Sequence, residues 1–302
     1  MKRSIIILFF MSCAALSFGQ QQASFTQYMF NGMSINPGYI GTHEALSLTA
    51  LSRWQWAGVE GAPSTKTFAA HSPIPGKNAG VGLQVMNDQI AITNTTSVMA
   101  GFSYRMQVGI NGYLSMGLQG GFQNIQNRYS EVYTMGLDPT FQQNYTSMMP
   151  NFGTGLFYYN PVWYVGASVP MLLNNKVEVE GNDMYTQKRH YFYTAGMAIS
   201  ASRNVLLKPN VLVKMVDGAP LSIDYNLNVL FNEIIWVGIS VRPPESISFL
   251  TEINVTNKLR VGFAYDYVID ETLSDFAGAS QEILLGYRIP WNKNGTSNLQ
   301  IF

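Results

Sequence analysis

Cysteine occurs once in the chain, at Cys13, within the first apolar stretch. A mature protein that sheds this stretch has no thiol, which excludes disulfides and thiolate catalysis. Histidine is scarce: His43, His71 and His190 are the full set. Charged residues make up 12% of the chain, about half of the ~25% usual in soluble domains. The net charge is zero, so nothing points to a nucleic-acid partner. Beyond the N-terminal stretch, no apolar run approaches the ~18 residues that a spanning helix needs. The chain therefore either stays soluble in the periplasm or enters a membrane through strands.

The first residues have the form of an export signal. Lys2 and Arg3 give the positive region, Ile5 to Phe10 begin an apolar stretch that runs on through Leu16, and Ser17-Phe18-Gly19 supplies a small-x-small cleavage site. Cleavage there makes Gln20 the first mature residue. A lipoprotein acylated at Cys13 is the competing reading. Phe10-Met11-Ser12 is a poor lipobox, and apolar sequence continues past the cysteine. The chain is expected to divide into a signal at 1–19, a periplasmic N-terminal segment at 20–44, and a barrel at 45–302 that includes a short C-terminal tail.

What the chain has in quantity is period-two alternation. Leu221, Ile223, Tyr225, Leu227, Val229 and Phe231 alternate with Ser222, Asp224, Asn226 and Asn228. Successive side chains of a strand point to opposite faces, so this segment has one apolar and one polar face. Fourteen such segments are predicted, at 45–56, 64–72, 78–87, 95–108, 112–122, 151–159, 162–170, 190–200, 204–214, 220–231, 234–242, 246–254, 258–268 and 281–289. An even number suits a bacterial barrel with both termini in the periplasm.

The connections alternate in length. After the even strands they are brief, as at 73–77, 109–111, 160–161, 201–203, 232–233 and 255–257; after odd strands several are long, above all 123–150, 171–189 and 269–280. Short periplasmic turns and long extracellular loops mark an outer-membrane barrel, and a soluble sandwich has no reason to keep its long loops at one end. The predicted fold is thus all-β: an antiparallel transmembrane β-barrel of the outer-membrane type, with about fourteen strands.

Charge placement agrees. Arg or Lys facing lipid at mid-bilayer costs ~2–4 kcal/mol. Arg53, Arg105, Lys208, Asp224, Glu252, Arg260, Asp266, Glu282 and Arg288 all fall on the inward parity. Leu259, Val261, Phe263, Tyr265 and Tyr267 fall on the outward one, and Trp54 and Trp56 end the first strand outward, where an interfacial girdle is expected.

Chemistry-bearing constellations are weak. His71-Ser72 suggests a nucleophile pair, but neighbours in a strand point to opposite faces and cannot cooperate. Hydrogen-bonded interface histidines account better for His71 and His190. Asp266, Asp270, Glu271 and Asp275 cluster near the last long loop without the spaced Asp/Asn-Gly pattern of a calcium loop. Glu178 and Glu180 read as an exposed strand edge. Gly80-Val-Gly82 and Gly117 to Gly121 lie inside strands, where small residues make room. No metal, cofactor or catalytic site is assigned.

One segment is specific. Phe25-Thr26-Gln27-Tyr28-Met29-Phe30-Asn31 precedes Asn36-Pro37-Gly38-Tyr39-Ile40-Gly41, ahead of the first strand. This resembles the N-terminal motif of the PorP/SprF family of Bacteroidetes outer-membrane proteins, carried here by Phe25, Gln27, Tyr28, Met29, Phe30, Asn31, Asn36, Pro37, Tyr39 and Gly41. Arg53-Trp54-Gln55-Trp56, Gly61-Ala62-Pro63 with Thr67, and Glu282 to Arg288 extend the likeness. Gly32, where proline is usual, together with Gly38, Ile40 and the tail after Pro290, departs from it. The aromatics of the motif need burial. Two readings are open: a partial plug in the lower barrel mouth, or a cover for the periplasmic rim.

The resemblance implies a non-enzymatic barrel of the type IX secretion and gliding apparatus. It further implies recognition of the C-terminal domain of a secreted, adhesin-like cargo protein, with periplasmic secretion components as further partners. Long loops suit such a partner, and Tyr129, Tyr133, Phe141 and Tyr145 give one of them aromatic contact area. The alternative reading is an outer-membrane channel for hydrophilic solutes, because a barrel of this size leaves a lumen that wall side chains alone need not fill.

Overall fold

The computed structural model describes residues 22–131, 144–179, 182–270 and 274–291. The signal at 1–19, Tyr133, Phe141, Glu180, Glu271 and the tail beyond Trp291 lie outside the described residues.

Among the described residues there are seventeen strands: β1 (Ala45–Trp54), β2 (Ser64–Pro73), β3 (Ala79–Ile90), β4 (Thr93–Val108), β5 (Gly112–Asn127), β6 (Tyr145–Tyr159), β7 (Trp163–Val169), β8 (Lys176–Val179), β9 (Asn182–Thr186), β10 (His190–Met197), β11 (Ile199–Ser202), β12 (Val205–Val216), β13 (Ser222–Phe231), β14 (Ile235–Arg242), β15 (Ser246–Asn254), β16 (Leu259–Val268) and β17 (Ser280–Pro290). β8 and β9 form a separate hairpin. The rest make one antiparallel sheet in which β1 pairs with β17 and β10 pairs with β12. β10 and β11 are two pieces of one stave, interrupted at Ala198, so a closed wall of fourteen staves results. Closure removes the open edge that a flat sheet would offer to other chains.

The alternation is as regular in space as in sequence. Along β16, Arg260, Gly262, Ala264 and Asp266 are buried, whereas Val261, Phe263, Tyr265 and Tyr267 are exposed. The outer surface carries Phe68, Leu83, Phe102, Leu118, Phe249, Ile239 and Leu285, an apolar band of the kind lipid covers. Trp54 and Tyr267 stand outward near the long-loop end, and Tyr113, Trp163 and Trp291 near the short-turn end. Amphipathic rings favour both bilayer interfaces.

Several boundaries differ from expectation. β1 stops at Trp54, and Trp56 takes φ +54° in the following turn, so only Trp54 points outward from the strand. β3 and β4 run on to Ile90 and back from Thr93, leaving a two-residue turn in place of a longer loop. β5 and β6 pair as far as Asn127↔Tyr145, which places Tyr145 in a strand rather than a loop. The outward positions here are polar (Asn124 and Gln126), while Ile125 and Met149 pack together on the inside. Above the bilayer the lipid-facing signal is gone, although the hydrogen-bonded ladder continues. The expected loop 171–189 holds the β8–β9 hairpin.

Residues 22–44 run inside the barrel. Three short 3-10 turns, Tyr28–Phe30, Gly32–Ser34 and Pro37–Tyr39, fold this segment compactly. Gln22 lies beside His190, the first residue of β10 at the long-loop end. Phe30 reaches Arg260 and Trp236, each one residue from the short-turn end of its strand. The chain then turns back toward the long-loop end of β7, where the Ile35 carbonyl accepts from Ser168, and descends again to Gly41 beside His71. The segment thus fills the lumen from one end to the other; it is neither a periplasmic segment covering the rim nor a plug of the lower mouth alone. Its apolar side chains have no lipid or second sheet to meet, and the lumen is the remaining place to bury them.

Candidate functional site: the occupied lumen

The motif residues form the body of the plug. Phe25, Tyr28, Met29 and Phe30 pack with inward Leu51, Leu212, Leu230, Trp236, Leu250 and Leu284. Met33, Tyr39 and Ile40 pack with Ala69, Phe157 and Tyr164. Gln27, Asn31 and Asn36 are buried too. Burial without hydrogen bonds would cost each polar group about 1–3 kcal/mol, so their partners define how the segment is held.

Glu282 is fully buried on β17 and receives the main-chain N–H of Thr26 at 2.6 Å and of Gln27 at 3.0 Å. Arg53 on β1 closes the charge balance, donating at 2.6 Å both to Glu282 and to Asp266 on β16. The Thr26 hydroxyl donates to Asp266 at 2.8 Å. Two buried carboxylates around one guanidinium, with main-chain donors on the remaining lone pairs, make an upper clamp on the plug. A second pair, Arg242 with Asp224, lies on neighbouring strands nearby, and Glu245 approaches the same guanidinium at 3.6 Å.

In the middle of the lumen, the Tyr28 hydroxyl donates to Asn210 Oδ1 at 2.6 Å and accepts from Asn226 Nδ2 at 2.9 Å. Lower down, Arg260 donates to the Phe30 carbonyl at 2.8 Å and stands 3.5 Å from Glu252, while the Lys208 ammonium lies over the Trp236 ring. At the short-turn end Tyr39 and His43 share a 3.0 Å hydrogen bond, and His43 bonds Ser47 at 2.8 Å.

On the other side of the lumen the wall is hollowed to receive the Asn36-Pro37-Gly38 turn. Asn36 caps this turn by accepting from the Gly38 N–H at 2.8 Å, and its amide donates to the Leu156 carbonyl at 2.9 Å. A Cβ placed at Gly117 would collide with the Pro37 main chain, and one at Gly155 with the Asn36 side chain. These two glycines permit an approach no other residue allows. Ser168 and Ser103 hold the carbonyls of Ile35 and Ile40, each at 2.6 Å.

The nine inward charges therefore do not line one open passage. Arg53, Asp266, Glu282 and Arg260 bond the plug or each other; Asp224 pairs with Arg242 and Glu252 with Arg260 within the wall; Lys208 covers Trp236. Arg105 and Arg288 are half-buried near the short-turn end. A cavity of about 20 Å³ remains between plug and wall beside Tyr28, Ile35, Tyr39, Phe157 and Tyr164, room for roughly one water. His71 faces inward, accepting from the Gly41 N–H, whereas the Ser72 hydroxyl accepts from the Trp291 indole. They do not form a pair. His190 joins Lys188 and Gln22. Asp266 is drawn into the clamp with Arg53 and Thr26; among the described residues no His/Cys/Asp/Glu group has metal-site geometry.

Of the loop aromatics, Tyr129 lies in a 3-10 turn at 129–131 and Tyr145 begins β6. Sequence reasoning placed Asn226 on the polar face of its strand but missed Asn210, Arg242 and Ser168 as members of the lumen network. Inward parity of polar residues was the available signal for each.

Residues 17–287 match the family described as type IX secretion system membrane protein PorP/SprF. The chain belongs to this family. Its fold is shared with solved outer-membrane barrels. It is similar to the CymD monoaromatic hydrocarbon channel at 10% identity and a TM-score of 0.52, covering 87% of this chain and 93% of that one. The translocator domain of autotransporter NalP from Neisseria meningitidis gives 15% identity and 0.41, over 95% and 98% of the two chains. Omp33 of Acinetobacter baumannii gives 11% and 0.43, over 82% and 99%. No functionally curated protein matches the sequence. This PorP/SprF member is a type IX secretion barrel of the outer membrane, and its family and fold are those of a secretion-system membrane protein rather than a known enzyme class.

Proposed function

We propose that this PorP/SprF protein is a closed-lumen receptor. It binds the C-terminal domain of a secreted, adhesin-like cargo at the long-loop end and helps its secretion or its attachment to the cell surface during gliding. The observation that carries the reading is the plug. The lumen is filled by residues 22–44 and clamped through Arg53, Asp266 and Glu282. A wall whose centre is occupied offers its loops as the working surface. With the long loops outside the cell, the ends of β5 and β6, the β8–β9 hairpin and the segments around them form that surface. Periplasmic secretion components fit the opposite, short-turn end. An export signal at 1–19 brings the chain to the periplasm.

The test replaces residues 132–143 with a short Gly/Ser linker, keeping β5 and β6 intact. Cargo shed into the medium from cells whose barrel still inserts is the expected result. Cargo retained at its normal level on the surface counts against the loop as the binding element. The rival reading, a channel for hydrophilic solutes, requires the plug to leave; stable ion conductance from the intact purified protein would favour it.

A further inference from the structure

We infer that the processed amino terminus of this barrel opens on the long-loop side, which on the reading above is the outside of the cell, and that it does not remain in the periplasm. The main-chain N–H of Gln22 donates to His190 Nε2 at 2.9 Å, and Lys214 Nζ donates to the Ser24 hydroxyl at 2.7 Å. His190 opens β10, and Lys214 stands two residues before the end of β12. Both strand ends adjoin loops of the long-loop side. Thr26 follows, held by Arg53, Asp266 and Glu282, each within two residues of the same end of its strand. From there the chain only descends until Phe30 meets Arg260 near the opposite end.

The chain ahead of Gln22 has no way back through the barrel. Phe25, Tyr28, Met29, Phe30, Met33 and Tyr39 occupy the lumen below it, packed against inward Leu51, Trp236, Leu284 and Phe157, and the cavity of about 20 Å³ beside Tyr28 admits a water rather than a polypeptide. Whatever precedes Gln22 leaves by the mouth at which Gln22 stands. Two consequences follow. The barrel closes around its own leading segment during assembly. Gln22 itself also stands against His190, within the surface assigned above to the cargo, so the head of the plug forms part of that mouth.

The experiment inserts Gly-Cys-Gly between Gln21 and Gln22 in a full-length chain carrying Cys13→Ser, so that the inserted thiol is the sole one. Asp217→Cys and Lys77→Cys, both exposed, report the long-loop and short-turn ends. Intact cells receive a membrane-impermeant maleimide, with folding checked by heat-modifiable gel mobility. The inserted thiol is expected to label in intact cells as Asp217→Cys does, while Lys77→Cys labels only after the outer membrane is permeabilised. An inserted thiol that labels only after permeabilisation, or that stays protected in the folded barrel and reacts only when denatured, overturns the inference. Lys77→Cys labelling in intact cells in place of Asp217→Cys would instead reverse the barrel's orientation, and the outward terminus would fall with that orientation rather than with the threading.

Discussion

The main-chain N–H of Thr26 donates to Glu282 Oε1 at 2.6 Å, across 256 positions of sequence. The bond joins the leading segment to the last strand, and Glu282 is also the register partner of Arg53 on β1. Closing the barrel and seating the plug therefore use the same carboxylate. Without the plug, Glu282 would lose two main-chain donors while still buried, unless water entered the lumen in its place.

Water entry is the expected outcome of removing the plug. Deleting residues 22–41 leaves an interior lined by Asn210, Asn226, Asn228, Ser240 and the inward charges, groups that water can hydrate at little cost, beside an apolar patch of Leu51, Leu212, Leu230, Trp236, Leu250 and Leu284. The deletion variant should fold and give stable single-channel conductance in planar bilayers, and the intact protein should give none. A folded but silent deletion variant would show that the wall itself closes the pore.

Gly117→Leu should dislodge the Asn36-Pro37-Gly38 turn without breaking the barrel. The new side chain enters space held by the Pro37 main chain, and overpacking of this kind costs about 1–3 kcal/mol. The expected readout is cleavage of the 22–41 segment by protease added to the purified protein. Gly120→Ala is the control on the same strand, since Gly120 faces away from the lumen. Equal protection of both variants would refute the close contact.

Arg53→Met should destabilise the protein strongly. It leaves Asp266 and Glu282 buried without their cation, a loss of about 3–5 kcal/mol when one partner of a buried pair is removed. Heat-modifiable mobility should shift to a clearly lower temperature. Combining it with Asp266→Asn and Glu282→Gln removes the stranded charges and should recover most of the loss. A triple variant less stable than Arg53→Met alone would mean that packing, not charge, dominates this clamp.

The outward face should report depth. Phe263→Arg lies midway along β16 and should cost ~2–4 kcal/mol, whereas Tyr267→Arg, one residue from the strand end, should cost ~0–1 kcal/mol. Folding titrations into lipid vesicles measure both. Equal costs would argue against lipid as the solvent of this face.

Much of the architecture was legible in the chain because a strand's two-residue period is a local property. Leu259 to Val268 alternate so strictly that wall, lumen and lipid face follow from side-chain direction alone. The same logic faltered where the bilayer ends. Asn124 and Gln126 interrupt the apolar outward series, so β5 read as a loop although its ladder with β6 continues to Asn127. Hydrogen bonding of the backbone does not need an apolar neighbour, and above the membrane nothing marks it in the side chains.

Sequence alone determined that Phe25, Tyr28 and Phe30 needed burial, and that Arg53, Asp266 and Glu282 faced away from lipid. It did not determine that these two sets meet. Their meeting depends on the register that sets Arg53 opposite Glu282, on wall glycines that leave room for the Asn36-Pro37-Gly38 turn, and on a lumen whose width exists only once fourteen staves have closed. Periodicity is written residue by residue. The path of a segment through a cavity is decided by the shape of that cavity, which distant strands build together.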